Sequence, residues 1–356
     1  MASEPIRLLK SGAVADAEQA FEEAAVYARN LPPTDYRRGA MLGDLTTYLR
    51  ARKRHADTLR YYDEALGLLG NLQEKAPEYY IATLNNYAVY LISCNRLDAC
   101  RVALEKMSDV LLVAKKPKMA RWFGCPWFGF PIEGCDIFLR TNTAALFRKT
   151  GDYAQARLQL RMARDQLTSL QPKHRQLCAD QISIETCKLA FAMGRAGEAE
   201  AELAAVADPE SESFLYARAM ICLARHEYKE AERLIRLALA APDLLGESHR
   251  PEALNLWLNL AESLFCQAQY DESFRALAEA RSIVVDFEMA AVNDWRNALA
   301  NWQQRAQNLG RLELAANLEQ ELSKGSATPN QAITASDKLR IQPHSMRITS
   351  QPPAGG

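Results

Sequence analysis

The sequence predicts an all-α chain: a solenoid of about seven to eight helical hairpins, residues 1–323, followed by a disordered tail, residues 324–356. Two observations predict it. A single grid of small and large apolar residues recurs along the 356 residues, and the step between copies is nearly constant. The fullest copy is WLNLAESLFCQAQYDESFRALAEA, Trp257 to Ala280. Counted along one unit, Trp257, Leu260, Ala261, Leu264, Tyr270, Ser273, Leu277 and Ala280 occupy offsets 4, 7, 8, 11, 17, 20, 24 and 27. Small residues at offsets 8, 20 and 27 let two helices approach closely. Large residues at the others fill the seam, because i, i+3, i+4 and i+7 share one helical face.

The other copies follow in chain order. A partial first one keeps Gly12, Ala17, Phe21 and Ala24 and lacks a full opening helix. The second has Leu42, Leu45, Leu49, His55, Thr58, Tyr62 and Ala65. The third has Leu84, Tyr87, Ala88, Leu91, Leu97, Cys100, Leu104 and Met107. The fourth has Ala144, Phe147, Gly151, Tyr153, Ala156, Leu160 and Ala163. A weak copy centres on Ala196, and a fuller one has Leu215, Ala219, Cys222, Tyr228, Ala231, Ile235 and Ala238. After the Trp257 copy, a last weak one centres on Leu312. Gly151 and Gly310 stand where the first helix of a pair must stop in a left-handed turn. Taking offset 17 as a marker, the steps are 41, 42, 56, 43, 32, 42 and 42 residues.

This grid resembles the tetratricopeptide repeat (TPR), whose basic unit is about 34 residues long. The 42-residue step implies about two extra helical turns per unit and is similar to that of kinesin-light-chain-type repeats. The resemblance covers roughly residues 8–323. It implies a right-handed α-solenoid whose first helices line a concave face, with offsets 2, 5, 6, 9, 12 and 13 pointing into it.

Offset 6 reads Asn86, Asn142, Asn259 and Asn301 in four units, and Asp44, Glu185 and Ala217 in others. Asn255 and Asn297 lie one turn away at offset 2. A carboxamide offers donors and an acceptor together, so such a ladder suits the backbone of an extended peptide. Asparagine ladders of this kind occur in kinesin light chains and in the superhelix of O-GlcNAc transferase, which this stretch resembles. The plainer reading is that each Asn meets water or a neighbouring side chain. Arg148, Lys149 and Lys188 form a small basic zone beside Asn142, suited to an acidic segment or a terminal carboxylate. It is similar to the carboxylate clamp of chaperone-binding TPR domains, but the full Lys, Asn, Asn, Lys, Arg set is not reproduced.

The step of 56 contains an insertion near residues 114–134. Lys115, Lys116, Lys118 and Arg121 precede Trp122, Phe123, Trp127, Phe128 and Phe130, broken by glycines and prolines that forbid a regular helix. Either these rings plug a gap between units, or Trp122, Phe123, Trp127 and Phe128 touch a partner or a membrane surface. Residues 196–213 carry Glu198, Glu200, Glu202, Asp208, Glu210 and Glu212 without a Lys or Arg. That run is a solvated face or a dock for a basic partner.

A net charge of −1 argues against nucleic acid as a general ligand. The N-terminal MASEPIRLLKSG lacks an apolar signal stretch and no run is long enough to cross a membrane, so the chain reads as cytoplasmic. Eight scattered cysteines form no C-x-x-C and read as buried thiols of a reducing compartment; no metal or cofactor is expected. His55 and His226 fall at hairpin turns, where a solvated His is expected. Nucleotide-loop, metalloprotease and nucleophile-elbow motifs are absent, so no enzymatic activity is expected. The expected role is a scaffold or adaptor holding a segment of another protein or peptide. The alternatives are a ligand- or peptide-sensing regulator and a membrane-peripheral assembly factor.

Overall fold

The computed structural model describes residues 4–114, 132–240, 253–286, 292–308, 310 and 312–324. Among them there are helices and no strands. In chain order the helices are α1 (Glu4–Lys10), α2 (Val14–Asn30), α3 (Tyr36–Ala51), α4 (His55–Gly70), α5 (Pro77–Ser93) and α6 (Leu97–Ala114). They continue as α7 (Ile132–Thr150), α8 (Tyr153–Asp165), α9 (Pro172–Ala192), α10 (Ala196–Leu203), α11 (Glu212–Ala224) and α12 (Tyr228–Ala240). The last are α13 (Leu254–Cys266), α14 (Tyr270–Asp286), α15 (Val292–Asn308) and α16 (Leu312–Lys324). The chain divides into two units, 1–291 and 292–356, so α1–α14 lie in the first and α15–α16 in the second.

Each odd-numbered helix packs on the even-numbered helix that follows it, giving adjacent pairs from α1·α2 to α15·α16. Within the first unit each second helix also packs on the next first helix, and consecutive first helices touch one another. The expected copies of the grid thus correspond to hairpins one for one.

A shared backbone device closes these hairpins. Gly12, Lys53, Asn95, Gly151, Gly194, His226, Ala268 and Gly310 all have positive φ, between 56° and 83°. Each stands two residues before an offset-17 marker, so the sequence steps reappear as a backbone rhythm. One residue on, a backbone N–H reaches back over the turn: Arg54 N to Leu49 O (2.9 Å), Arg96 N to Leu91 O (2.8 Å), Asp152 N to Phe147 O (2.9 Å). Arg195, Glu227 and Gln269 do the same to Ala190, Cys222 and Leu264. This is the Schellman closure, which satisfies carbonyls that the helix end leaves bare. Gly151 and Gly310 adopt the left-handed turn expected of them, and four non-glycine residues are forced into it as well.

Packing follows the small-residue columns. At offset 20, Ala17, Thr58, Cys100, Ala156, Ala199, Ala231, Ser273 and Ala315 are all buried. At offset 8, Thr46, Ala88, Ala144, Cys187, Ala219 and Ala261 are buried too. Ser273 Oγ donates to the Ala261 carbonyl at 2.8 Å, tying the two columns of one hairpin together. A bulky side chain at either column would push the helices apart, so the columns set the interhelix distance. Large apolar residues fill the seams in successive clusters. One joins Phe21, Leu45, Leu49 and Tyr61; a longer one runs from Leu84 and Leu104 through Ile137 and Leu160 to Ile182.

The partial first copy and the weak copy at Ala196 have visible causes. α1 has only 7 residues, matching the missing opening helix. α10 has only 8, because the chain leaves the helix before Pro209; Asp180 of the long α9 anchors that connector by accepting from Ala207 N at 3.1 Å. The aromatic insertion 115–131 and the tail from 325 lie outside the described residues.

Candidate partner-binding face

The first helices of the first unit bring their polar offsets together. α5, α7, α9, α11 and α13 each touch the next in line. Their half-buried polar side chains meet across the contacts, one hairpin to the next. Asn142 Nδ2 (α7) donates to Asn85 Oδ1 (α5) at 2.8 Å, and Asn85 Nδ2 donates to Asn86 Oδ1 at 3.4 Å. Arg148 Nε (α7) donates to Glu185 Oε1 (α9) at 2.6 Å, with Nη2 at 3.4 Å from Oε2. Lys188 Nζ (α9) stands over the Tyr216 ring (α11) at 5.9 Å. The Asn259 carboxamide (α13) faces the Tyr216 hydroxyl, and its Nδ2 lies 3.0 Å from Met220 Sδ.

The electrostatics differ along this row. Burial works against the charge of Arg148, but the Glu185 carboxylate outweighs it and holds the guanidinium charged. Burial pulls the Lys188 ammonium below the usual lysine range, opposed by Glu185. Burial likewise raises the Tyr216 hydroxyl. On the earlier helices the sign reverses. Burial pushes the Asp44 carboxyl (α3) up to about 7, and that of Glu78 (α5) is raised for the same reason. Tyr36 and Tyr79 pack there with ring centroids 4.7 Å apart.

The expected binding residues therefore divide. Asn86, Asn142, Arg148, Lys149, Lys188 and Asn259 are half-buried on consecutive first helices. Asn255 is exposed on α13. Asn297 and Asn301 are exposed on α15, opposite buried Trp295, Leu299 and Trp302, and belong to the second unit. Arg148 is not a free cation, since Glu185 occupies it. The sequence reading missed Asn85 and Tyr216, although both stand at offset 5, one of the offsets the resemblance assigns to the concave face. Trp122, Phe123, Trp127 and Phe128 lie outside the described residues.

Two further expectations change. His55 is buried, not solvated: Nδ1 bonds the Tyr90 hydroxyl and Nε2 lies 3.4 Å from Arg96 Nη2. His226 is the left-handed residue of its turn, whereas His55 stands two positions farther on, as the first residue of α4, where it faces Tyr90 of the next first helix. Three of the six acidic residues of the run are paired with arginines. Glu198 pairs with Arg157 and Arg195, Glu200 with Arg225 and Glu202 with Arg164. The arginine-paired half of the run is the part on α10, while Asp208 and Glu210 of the connector that follows are exposed.

Most of the described thiols are shielded, and Cys266 alone of the described cysteines is half-buried. Cys94, Cys100, Cys135, Cys178, Cys187 and Cys222 are buried, and burial raises Cys100 to about 12 and Cys178, Cys187 and Cys222 to about 11. Such thiols stay protonated and are poor nucleophiles. A cleft of about 370 Å³ opens where α6, α7 and α8 meet, between Leu104, Leu112, Leu139 and Phe147 and the polar ends of Glu105 and Arg140. No described helix is long and apolar enough to cross a membrane. No family model and no curated protein matches this sequence.

Proposed function

We propose that this chain is a TPR-like α-solenoid that serves as a scaffold or adaptor, holding an extended segment of another protein along the row of its first helices. One observation supports this most: polar side chains of α5 to α13 at offsets 5, 6, 9 and 12, most of them half-buried, meet from hairpin to hairpin. A fold needs no such row for its own stability, since asparagine is a poor helix former and each carboxamide here satisfies only part of its bonding capacity internally. The remaining donors and acceptors suit a peptide backbone, which repeats its polar groups along its length.

Binding of the full chain to an array of random dodecapeptides tests this reading. The wild type retains a subset of peptides, and Asn142→Ala together with Asn259→Ala weakens them by about tenfold, or about 1.4 kcal/mol. An array that retains nothing, or retention indifferent to both substitutions, removes the reading.

A further inference from the structure

The seam beside α7 lacks the bulk that fills several others. At offsets 4 and 7 the first helices carry Leu42 and Leu45 in α3, Leu84 and Tyr87 in α5, and Trp257 and Leu260 in α13. α7 carries Arg140 and Thr143 there, and α9 carries Ser183 and Thr186. Thr143 and Thr186 each turn the hydroxyl back to their own helix, donating to the Leu139 and Ile182 carbonyls at 2.7 Å. Neither replaces the missing bulk, and a cleft opens at each seam. The one at α7, between α6 and α8, has about 370 Å³, and the one at α9, between α8 and α10, about 270 Å³.

The two clefts are finished differently. Arg157 with Glu198 (3.5 Å) and Arg164 with Glu202 (2.7 Å) reach from α8 to α10 across the smaller one. Among the described residues no ion pair joins α6 to α8. The larger cleft keeps an apolar wall of Leu104, Leu112, Leu139 and Phe147, and Leu112 is 65% exposed. Arg140 stands at its margin, poorly bonded. Its contacts are Gln159 Oε1 at 3.4 Å, Met162 Sδ at 3.5 Å and Asp136 Oδ2 at 3.5 Å, and its buried Nε makes no hydrogen bond. Asp136 gives its short bond to Gln166 Nε2, at 2.6 Å, instead. A guanidinium has five donors, and buried donors ordinarily find an acceptor near 2.9 Å.

We propose that this cleft binds a small amphiphilic anion, with an unbranched apolar tail against Leu104, Leu112, Leu139 and Phe147 and an anionic head on the Arg140 guanidinium. Its volume falls within the range of small-molecule sites, which pair an apolar lining with a few polar groups. Arg101 and Glu105 also line the cleft, one turn apart on α6, and offset each other's charge. Asp136 is engaged by Gln166, so the under-bonded Arg140 decides the sign of the guest. Offsets 4 and 7 belong to the packing side of α7, so the site is separate from the polar row and does not rest on the peptide-binding reading.

Titration calorimetry of the full chain with four decyl probes tests this: decanoate, monodecyl phosphate, decanol and decyltrimethylammonium. At least one anion binds one-to-one and about tenfold more tightly than both the alcohol and the cation. A preference for decanoate assigns the head to a carboxylate, and a preference for decyl phosphate to a phosphate monoester. Arg140→Met brings the anion down to the level of the alcohol, and Arg140→Lys keeps most of the difference. Leu112→Asp, at an exposed position, weakens the anion as well. Unchanged helicity and melting show that the variants fold. Hydrogen exchange with the bound anion gains protection in α6 and α7. Equal binding of anion and alcohol, an anion preference that survives Arg140→Met, or no binding of any probe overturns the site.

Discussion

Asp44 shows how one half-buried charge writes itself into the behaviour of the whole chain. Its carboxyl is pushed up to about 7 by burial, against 3.8 for an exposed aspartate. A raised acid pKa means the folded state binds the proton more tightly than the unfolded state. Its contribution is therefore complete below pH 4 and lost as pH rises through 7. Asp44→Asn should remove this penalty, raising stability at pH 8 by about 2–4 kcal/mol and leaving it little changed at pH 4. Urea unfolding at the two pH values checks it, and equal effects at both would show that Asp44 is not desolvated. Asp44 was legible as an offset-6 residue, but its state was not. Burial depends on neighbours on the next first helix, such as Tyr79, whose hydroxyl feels the Asp44 charge, and no spacing rule carries that. The same limit applies to the basic zone. Arg148 and Lys188 look alike as letters, yet a carboxylate 37 residues away occupies the first and leaves the second. His55 was misread for a similar reason, since its partner Tyr90 lies 35 residues along.

At the level of the helical hairpin, the sequence was much more informative. The small columns at offsets 8 and 20 are buried almost throughout, because only small side chains permit that interhelix distance. The turn was half legible. Gly151 and Gly310 announce a left-handed residue, and Asn95 and His226 are residue types enriched there, but Lys53 and Ala268 occupy the same place without any compositional sign. There the helices and the next carbonyl bond dictate the conformation, and the residue bears the cost. Ala268 has a φ of 60° and is exposed, so replacing it relieves strain without disturbing packing. Ala268→Gly should stabilise the protein by about 0.5–1 kcal/mol, and Gly151→Ala should destabilise it by about 1–2 kcal/mol. Thermal or urea unfolding of the two single variants checks this, and opposite signs are the essential outcome. The faint copy at Ala196 was faint for a reason now evident, since a helix of 8 residues has room for only part of the grid.

For the molecule as a whole, the order of contacts controls how damage spreads. In the first unit each hairpin packs on its chain neighbours, so stability is a sum of local contributions and near-neighbour interfaces. Ala156 is fully buried at the closest approach of α7 and α8. Ala156→Leu should cost about 1–3 kcal/mol by overpacking. In hydrogen exchange, α7, α8 and the adjoining α6 and α9 should lose protection, while α2 and α3 keep theirs. Uniform loss across α1–α14 would mean that the unit unfolds only as one cooperative body.

The recurring left-handed residue has a practical corollary. Because the backbone crosses every hairpin in the same conformation, His226 and Ala268 are equivalent joints 42 residues apart. Excising 227–268 splices α11 onto α14 with one intact Schellman bridge and matched small-residue contacts, so the array can be shortened by whole modules.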